Sequence, residues 1–109
     1  MSKIDPDRLA QENAQVLNLV QALMGAVSVN MRAISLEWEK KGGRLHFILE
    51  RDDPEDREEI ADIGFEFEAL QAGPIKLELM VTVDDKELPV MTLPGRQVYR
   101  RRETCEGAG

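Results

Sequence analysis

The chain has 109 residues, 42% of them hydrophobic and 32% charged, which is the composition of one folded domain and excludes a disordered chain. Its one cysteine, Cys105, excludes an internal disulfide or a thiolate metal cluster, and no signal-peptide pattern or membrane-spanning apolar run is visible, so we expect a soluble, cytoplasmic protein. The net charge of −7 is concentrated in residues 50–87, which carry 14 acidic and 4 basic side chains and favour a basic partner over nucleic acid or an anionic membrane.

A first helix is predicted at residues 6–26. Asp5-Pro6 has the pattern of an N-cap followed by a proline in the first helical turn. Apolar residues then recur at steps of three and four, which predicts one buried stripe. The stripe comprises Leu9, Val16, Val20, Leu23 and Val27, flanked by Leu17 and Met24.

A β-hairpin is predicted at residues 32–50, because hydrophobic and polar residues alternate there. The residues expected on the buried side of its two strands are Ile34, Leu36, Trp38, Leu45, Phe47 and Leu49. Gly42-Gly43 provides the glycines that a hairpin turn requires.

The second half of the chain predicts one more helix and further strands. Asp53-Pro54 repeats the capping signal and opens a helix at about residues 53–71, which Gly73-Pro74 ends. Alternation predicts a half-buried strand at residues 75–83, whose apolar side comprises Ile75, Leu77, Leu79, Val81 and Val83. Leu88 to Leu93 reads as an edge segment and Val98-Tyr99 as a short last strand, and the tail at residues 104–109 is expected to be disordered.

The element order α-β-β-α-β-β, with strands that are apolar on one side, predicts a single α+β domain at residues 1–103. We expect a two-layer sandwich in which a mainly antiparallel sheet of four or five strands carries both helices on one face.

Motifs for catalysis or metal binding are missing from the sequence. His46 is the only histidine, and a single titratable group without a paired nucleophile does not make an active site. An enzyme or sensor using His46 with Glu37 or Lys76 is a weaker alternative than an exposed histidine on a solvated sheet face. We therefore predict a binding protein with no enzymatic activity, no cofactor and no metal.

Carboxylates dominate one face of the predicted second helix. Their spacing of three or four residues stacks them along that face, and only Arg57 relieves the repulsion. Phe65 falls at the edge of this face, away from the apolar side of the helix, and could be an exposed interface anchor. We name as candidate binding residues Glu55, Glu58, Glu59, Asp62, Phe65 and Glu66. A merely solubilising acidic face is the alternative.

The arginines near the end of the chain, Arg96, Arg100, Arg101 and Arg102, could contact nucleic acid. In an acidic chain they are better explained by pairing with the protein's own carboxylates or by bordering an edge strand.

Several segments carry a resemblance to a known class of protein, namely residues 34–39, 61–69, 73–77 and 93–101, which read ISLEWE, ADIGFEFEA, GPIKL and LPGRQVYRR. Over about residues 30 to 102 the chain resembles small immunity proteins of bacterial polymorphic-toxin and contact-dependent growth inhibition systems. The resemblance implies a cytoplasmic antidote that binds and neutralises the toxic C-terminal domain of a cognate effector, often a nuclease with a basic cleft. An acidic helix suits that partner.

A different binding class remains open from the residues themselves. An adaptor or secretion chaperone would capture an extended segment of its partner by strand addition at the apolar edge around Leu88 to Leu93.

Overall fold

The computed structural model describes residues 5–40, 42–88 and 93–103. Two helices and four strands lie within these ranges, and they bear out an α+β protein. In chain order the elements are α1 (Pro6–Leu23), β1 (Met31–Glu39), β2 (Gly42–Leu49), α2 (Pro54–Ala69), β3 (Lys76–Val83) and β4 (Arg96–Arg100). The predicted tail at residues 104–109, with Cys105, lies outside the described residues.

Both helices begin where the capping signals predict. The Asp5 carboxylate accepts a hydrogen bond from the backbone N–H of Asp7 at 3.0 Å. The Asp53 carboxylate accepts from the N–H of Glu55 at 2.8 Å. Each carboxylate thereby satisfies an N–H group that has no partner inside the helix, and the following proline has no N–H to satisfy.

The strands form one mixed sheet in the spatial order β3-β2-β1-β4. β1 pairs antiparallel with both β2 and β4, whereas β2 and β3 are parallel. The prediction of a mainly antiparallel sheet is therefore wrong. α2 connects β2 to β3 and returns the chain to the end of the sheet where β2 starts, so that β3 runs in the same direction as β2.

The glycines of the hairpin have a different role from the predicted one. Glu39 pairs with Gly42, so Gly42 already belongs to β2 and does not form the turn. A Cβ atom on Gly42 would clash with the carbonyl oxygen of Lys76. Gly42 is thus required by the close approach of β3.

One hydrophobic core joins the two helices to the same face of the sheet, as predicted. Its strand residues are the expected alternating set, and Trp38 packs against it, with its ring 6.3 Å from that of Phe67. The buried residues of α1 are Leu19, Ala22 and Leu23. Leu17 and Met24, which were placed beside the buried stripe, are 68% and 77% exposed. Leu9 and Val20, which were placed in the stripe, are 40% and 44% exposed, so the prediction of a buried stripe holds only in part.

The opposite face of the sheet is partly covered by the chain between β3 and β4. Leu88 and Leu93 pack against Ala33 and Ile48 there, and the Ser35 hydroxyl donates to the carbonyl oxygen of Pro94 at 2.7 Å. Leu88 is buried and so offers no exposed edge. Residues 89–92 of the predicted edge segment lie outside the described residues.

A buried arginine holds this segment and the end of β4 against β1. Arg32 is 3% exposed and donates to the carbonyl oxygens of Asp84 and Lys86 at 2.6 and 2.7 Å. Its Nε also donates to the Glu103 carboxylate at 3.0 Å. Hydrogen bonds from Arg32, and then from Arg101, lower the pKa of Glu103 to about 2 because they favour the charged carboxylate.

Candidate functional site

The outward surface of α2 is the candidate site, and the inward surface of the same helix fixes its position. Ile60, Ile63 and Phe67 are buried in the core. Gly64 faces β3, where a Cβ atom would lie 3.0 Å from the Leu79 side chain. This close contact places α2 directly over β3.

One carboxylate of α2 is structural. Asp56 is buried and accepts a hydrogen bond from the Asn30 side-chain amide at 2.8 Å. The same amide group donates to the carbonyl oxygen of Arg51, and its oxygen accepts from the Arg51 N–H. Asp56 thus belongs to a network that ties the start of α2 to the start of β1.

Five of the six other carboxylates of α2, all except Glu68, make up the predicted acidic face. Glu59 is half-buried at its edge, and the remaining four residues are exposed. Among the residues that the structure describes, none of the five takes part in an ion pair. The five are Glu55, Glu58, Glu59, Asp62 and Glu66, and we call them the acidic face. Arg57 was expected to relieve them, but its Nε donates to Asp52 at 2.6 Å.

Phe65 lies on the outward side of α2, as predicted, with 72% of its surface exposed. Phe67, two residues later, is completely buried. An exposed aromatic ring among carboxylates contributes nothing to the core, and this combination is typical of a residue that is covered only when a partner binds.

Three arginines near the end of the chain contact groups outside α2. Arg96 pairs with Glu12 at 2.9 Å, and Arg101 pairs with both Glu50 and Glu103 at 2.9 Å. Arg100 donates to the carbonyl oxygen of Leu88. The interpretation of the arginine cluster as pairing with the protein's own carboxylates is therefore confirmed for Arg96 and Arg101.

His46 contacts Glu37, one of its two expected partners, with 2.7 Å between Nε2 and the carboxylate oxygen. Its side chain is only 12% exposed, so it is more buried than the solvated-face interpretation implied. A groove beside this face is lined by Glu37, Arg44 and Trp38, but His46 does not line it. Nothing in this arrangement pairs the histidine with a nucleophile.

Within residues 5–40, 42–88 and 93–103, no group of three or more histidine, cysteine or carboxylate side chains is placed to hold a metal ion. In that same part of the chain, neither helix has the length and apolarity needed to cross a bilayer.

Fold and surface together describe a small α+β protein with a charged, aromatic-bearing helix face. The MafI2 immunity protein family model matches residues 12–103, and the chain belongs to that family. The match extends the resemblance back into α1. A comparison with curated proteins gave no match.

Family membership supports toxin neutralisation as the function and a cognate toxin protein as the partner. The resemblance to small bacterial toxin immunity proteins is thereby confirmed. Membership of a contact-dependent growth inhibition system is a more specific assignment than this family, and it stays a prediction.

Two surface features were missed by the sequence analysis. One is the outward side of α1, where Leu17 and Val20 are 68% and 44% exposed. The other is the open edge of β3, where Leu79 and Val83 were expected to be covered but are 37% and 42% exposed. The alternation in β3 correctly indicates which side faces the helices, but it does not reveal how far α2 extends over that side.

Proposed function

We propose that this protein neutralises its toxin by binding it through the outward surface of α2, with the acidic face attracting a basic toxin domain and Phe65 acting as an apolar anchor. The observation that carries the proposal is the set of five carboxylates on α2 that have no ion-pair partner among the described residues.

Like charges at helical neighbour spacing destabilise a helix by about 0.2–0.5 kcal/mol per pair. The neighbouring Arg57 does not offset this cost, since it pairs with Asp52. A cationic partner would convert the repulsion into attraction and would raise the rate of association at low salt. A binding role thus accounts for the surface better than solubility alone, which does not require the charges to lie on one helix face.

The toxin that best fits this surface is a nuclease. Its substrate cleft must be basic to hold a phosphate backbone, and a helix with stacked carboxylates presents the same sign of charge to that cleft. The protein would then act in the cytoplasm, where it protects cellular nucleic acid, and would act by binding and not by catalysis. A polymorphic-toxin system of the contact-dependent growth inhibition type is the proposed context.

Charge reversal tests the proposal directly. In the variant Glu59→Lys, Asp62→Lys and Glu66→Lys, association with an inactivated toxin domain should slow by about tenfold or more, and its salt dependence should flatten. Stopped-flow or surface plasmon resonance at several salt concentrations measures both.

A matched control variant separates the acidic face from net charge. Glu39, Asp85 and Glu87 are exposed and lie outside α2, and changing all three to lysine alters the net charge by the same amount. Association should be slowed much less by this control. Equal effects of the two variants would mean that only the net charge matters, and no effect of either would remove the acidic face from the mechanism.

A further inference from the structure

The two edges of the sheet are built differently. β4 has five residues, begins and ends in arginine, and has an irregular register with β1 between Ile34 and Ser35. β3 has eight residues and pairs with β2 in an unbroken register from Lys76 to Val83. It contains no proline or glycine. Short length, charge and irregularity protect an edge from pairing with another chain. β3 is neither short nor irregular, and its only charged residues are Lys76 and Glu78.

The backbone of β3 is open on its outer side. The N–H of Asp84 donates to the carbonyl oxygen of Leu49 in β2 at 2.8 Å. Hydrogen-bonding direction alternates along a strand, so the odd-numbered residues of β3 direct their N–H and C=O groups away from β2. These residues are Leu77, Leu79, Val81 and Val83. Within the part of the chain that the structure describes, a row of donors and acceptors without a strand partner therefore runs along this edge.

The same residues point their side chains toward the helix layer. Leu79 contacts Gly64 of α2, and Val83 shares its side of the strand. Both side chains are more than one third exposed, because α2 covers β3 only in part. An added strand would meet an apolar strip on the helix side as well as the backbone edge.

We propose that an extended segment of the toxin, carrying basic side chains, adds to β3 as a fifth strand. This inference rests on the proposed function, since it names the second contact that the same partner makes. Main-chain hydrogen bonds would supply affinity, and alternate side chains would pack on Leu79 and Val83 or extend along the outer face.

The charge of the region favours a basic segment as the occupant over a second copy of this chain. β3 and α2 lie within residues 50–87, where acidic side chains outnumber basic ones by 14 to 4. Pairing of two β3 strands would bring two such regions, each with its α2, to one interface, and like-charge repulsion opposes that arrangement. A cationic strand meets no such penalty.

Amide hydrogen exchange of the free protein and of its complex with the inactivated toxin domain tests the proposal. The amides of Leu77, Leu79, Val81 and Val83 should exchange about tenfold or more slowly in the complex than in the free protein. Tight binding with unchanged exchange at these four amides would overturn the strand addition and leave the proposed function standing. Protection already present in the free protein, together with a dimeric mass, would also overturn it and identify a second copy as the occupant.

A pair of variants isolates the backbone contribution. Val83→Pro removes an outward N–H at the end of the strand, where proline is tolerated, whereas Val83→Ala shortens the side chain and keeps that N–H. Val83→Pro should weaken toxin binding by about tenfold relative to Val83→Ala. Equal affinities would contradict the proposal. If Val83→Pro fails to fold, the exchange measurement on the unmodified protein still decides.

Absence of any binding between the protein and the toxin domain would overturn both proposals together. Loss of binding on charge reversal of the acidic face without protection of β3 would overturn only the strand addition. The reverse pattern would retain the strand addition and reject the role of the acidic face.

Discussion

The two helices lie on the same face of one sheet and bury comparable sets of side chains, yet their outward surfaces are opposites. Residues 9–24 of the α1 region include a single charged side chain, Glu12, and it pairs with Arg96. The acidic face of α2 carries five carboxylates without such a partner among the described residues. Similar packing against the core therefore leaves a helix free to present very different surfaces to solvent.

The difference indicates which constraints act on each helix. Core packing requires only that one side be apolar, and both helices meet this requirement. The outward side of α2 carries the acidic face, whereas the outward side of α1 mixes polar residues with the exposed side chain of Leu17. We expect variants of the two outward surfaces to differ in toxin binding but not in stability when both quantities are measured on the same variants.

Truncating buried side chains should produce the largest effects, and they should be similar in the two helices. Leu19→Ala in α1 and Phe67→Ala in α2 should each lower the free energy of unfolding by about 3–5 kcal/mol, because each leaves a cavity in the core. Phe67→Ala also removes the ring contact with Trp38. Urea denaturation measures both.

Matched exposed variants complete this test. Leu17→Ala and Phe65→Ala should each change stability by less than about 0.5 kcal/mol, but only Phe65→Ala should weaken toxin binding. A loss of more than about 1 kcal/mol in Phe65→Ala would mean that the ring supports the fold, and it would no longer serve as evidence for an interface.

Two carboxylates of α2, Asp56 and Asp62, should have smaller effects on stability, in opposite directions. Asp56→Ala should lower the free energy of unfolding by about 1–3 kcal/mol, since the buried Asn30 amide loses its acceptor. Asp62→Ala should raise stability by a few tenths, about 0.2–0.5 kcal/mol per like-charge pair removed, while it weakens toxin binding. Chemical denaturation and a binding titration on both variants would sharpen the distinction, and equal stability losses would remove it.

Acid should show the smallest effect, and it should arise outside the helices. The folded-state pKa of Glu103 is lowered to about 2 from 4.5 by Arg32. Its contribution to stability is therefore fully present above about pH 4.5 and is lost as the pH falls toward about 2. Glu103→Gln should be less stable than the unmodified protein near neutral pH, and the gap should close on acidification. A gap independent of pH would contradict the charge pairing.

The helices, the strands and the buried side of the sheet could be predicted from the sequence, because capping pairs and strict alternation are local signals. The direction of β3 relative to β2 could not be predicted. Alternation states which residues are buried, but not whether a strand runs parallel or antiparallel to its neighbour. The role of Gly42 was missed for a related reason, since the approach of Lys76 depends on that pairing.

The candidate site was predictable only in part. Helical spacing placed the carboxylates and Phe65 on one outward surface, and the exposed positions agree with that placement. Spacing could not separate Asp56 from its neighbours, because its partner Asn30 is distant in the chain. Spacing also could not identify β3 as an edge strand, because that depends on the order of the strands, in which β2 lies inside the sheet and β3 lies at its edge.

The position of β4 has a consequence for synthesis of the chain. β4 pairs with β1, so Ala33 must find Arg100 across a chain segment that includes β2, α2 and β3, whereas β1, β2, α2 and β3 follow one another in sequence. On the ribosome, α2 and β3 can therefore assemble before β4 has emerged. Until it does, β1 is a second open edge and Arg32 lacks its Glu103 partner. A chain that stops short of residue 96 would keep the surface proposed to bind toxin, but it would be prone to aggregation through β1.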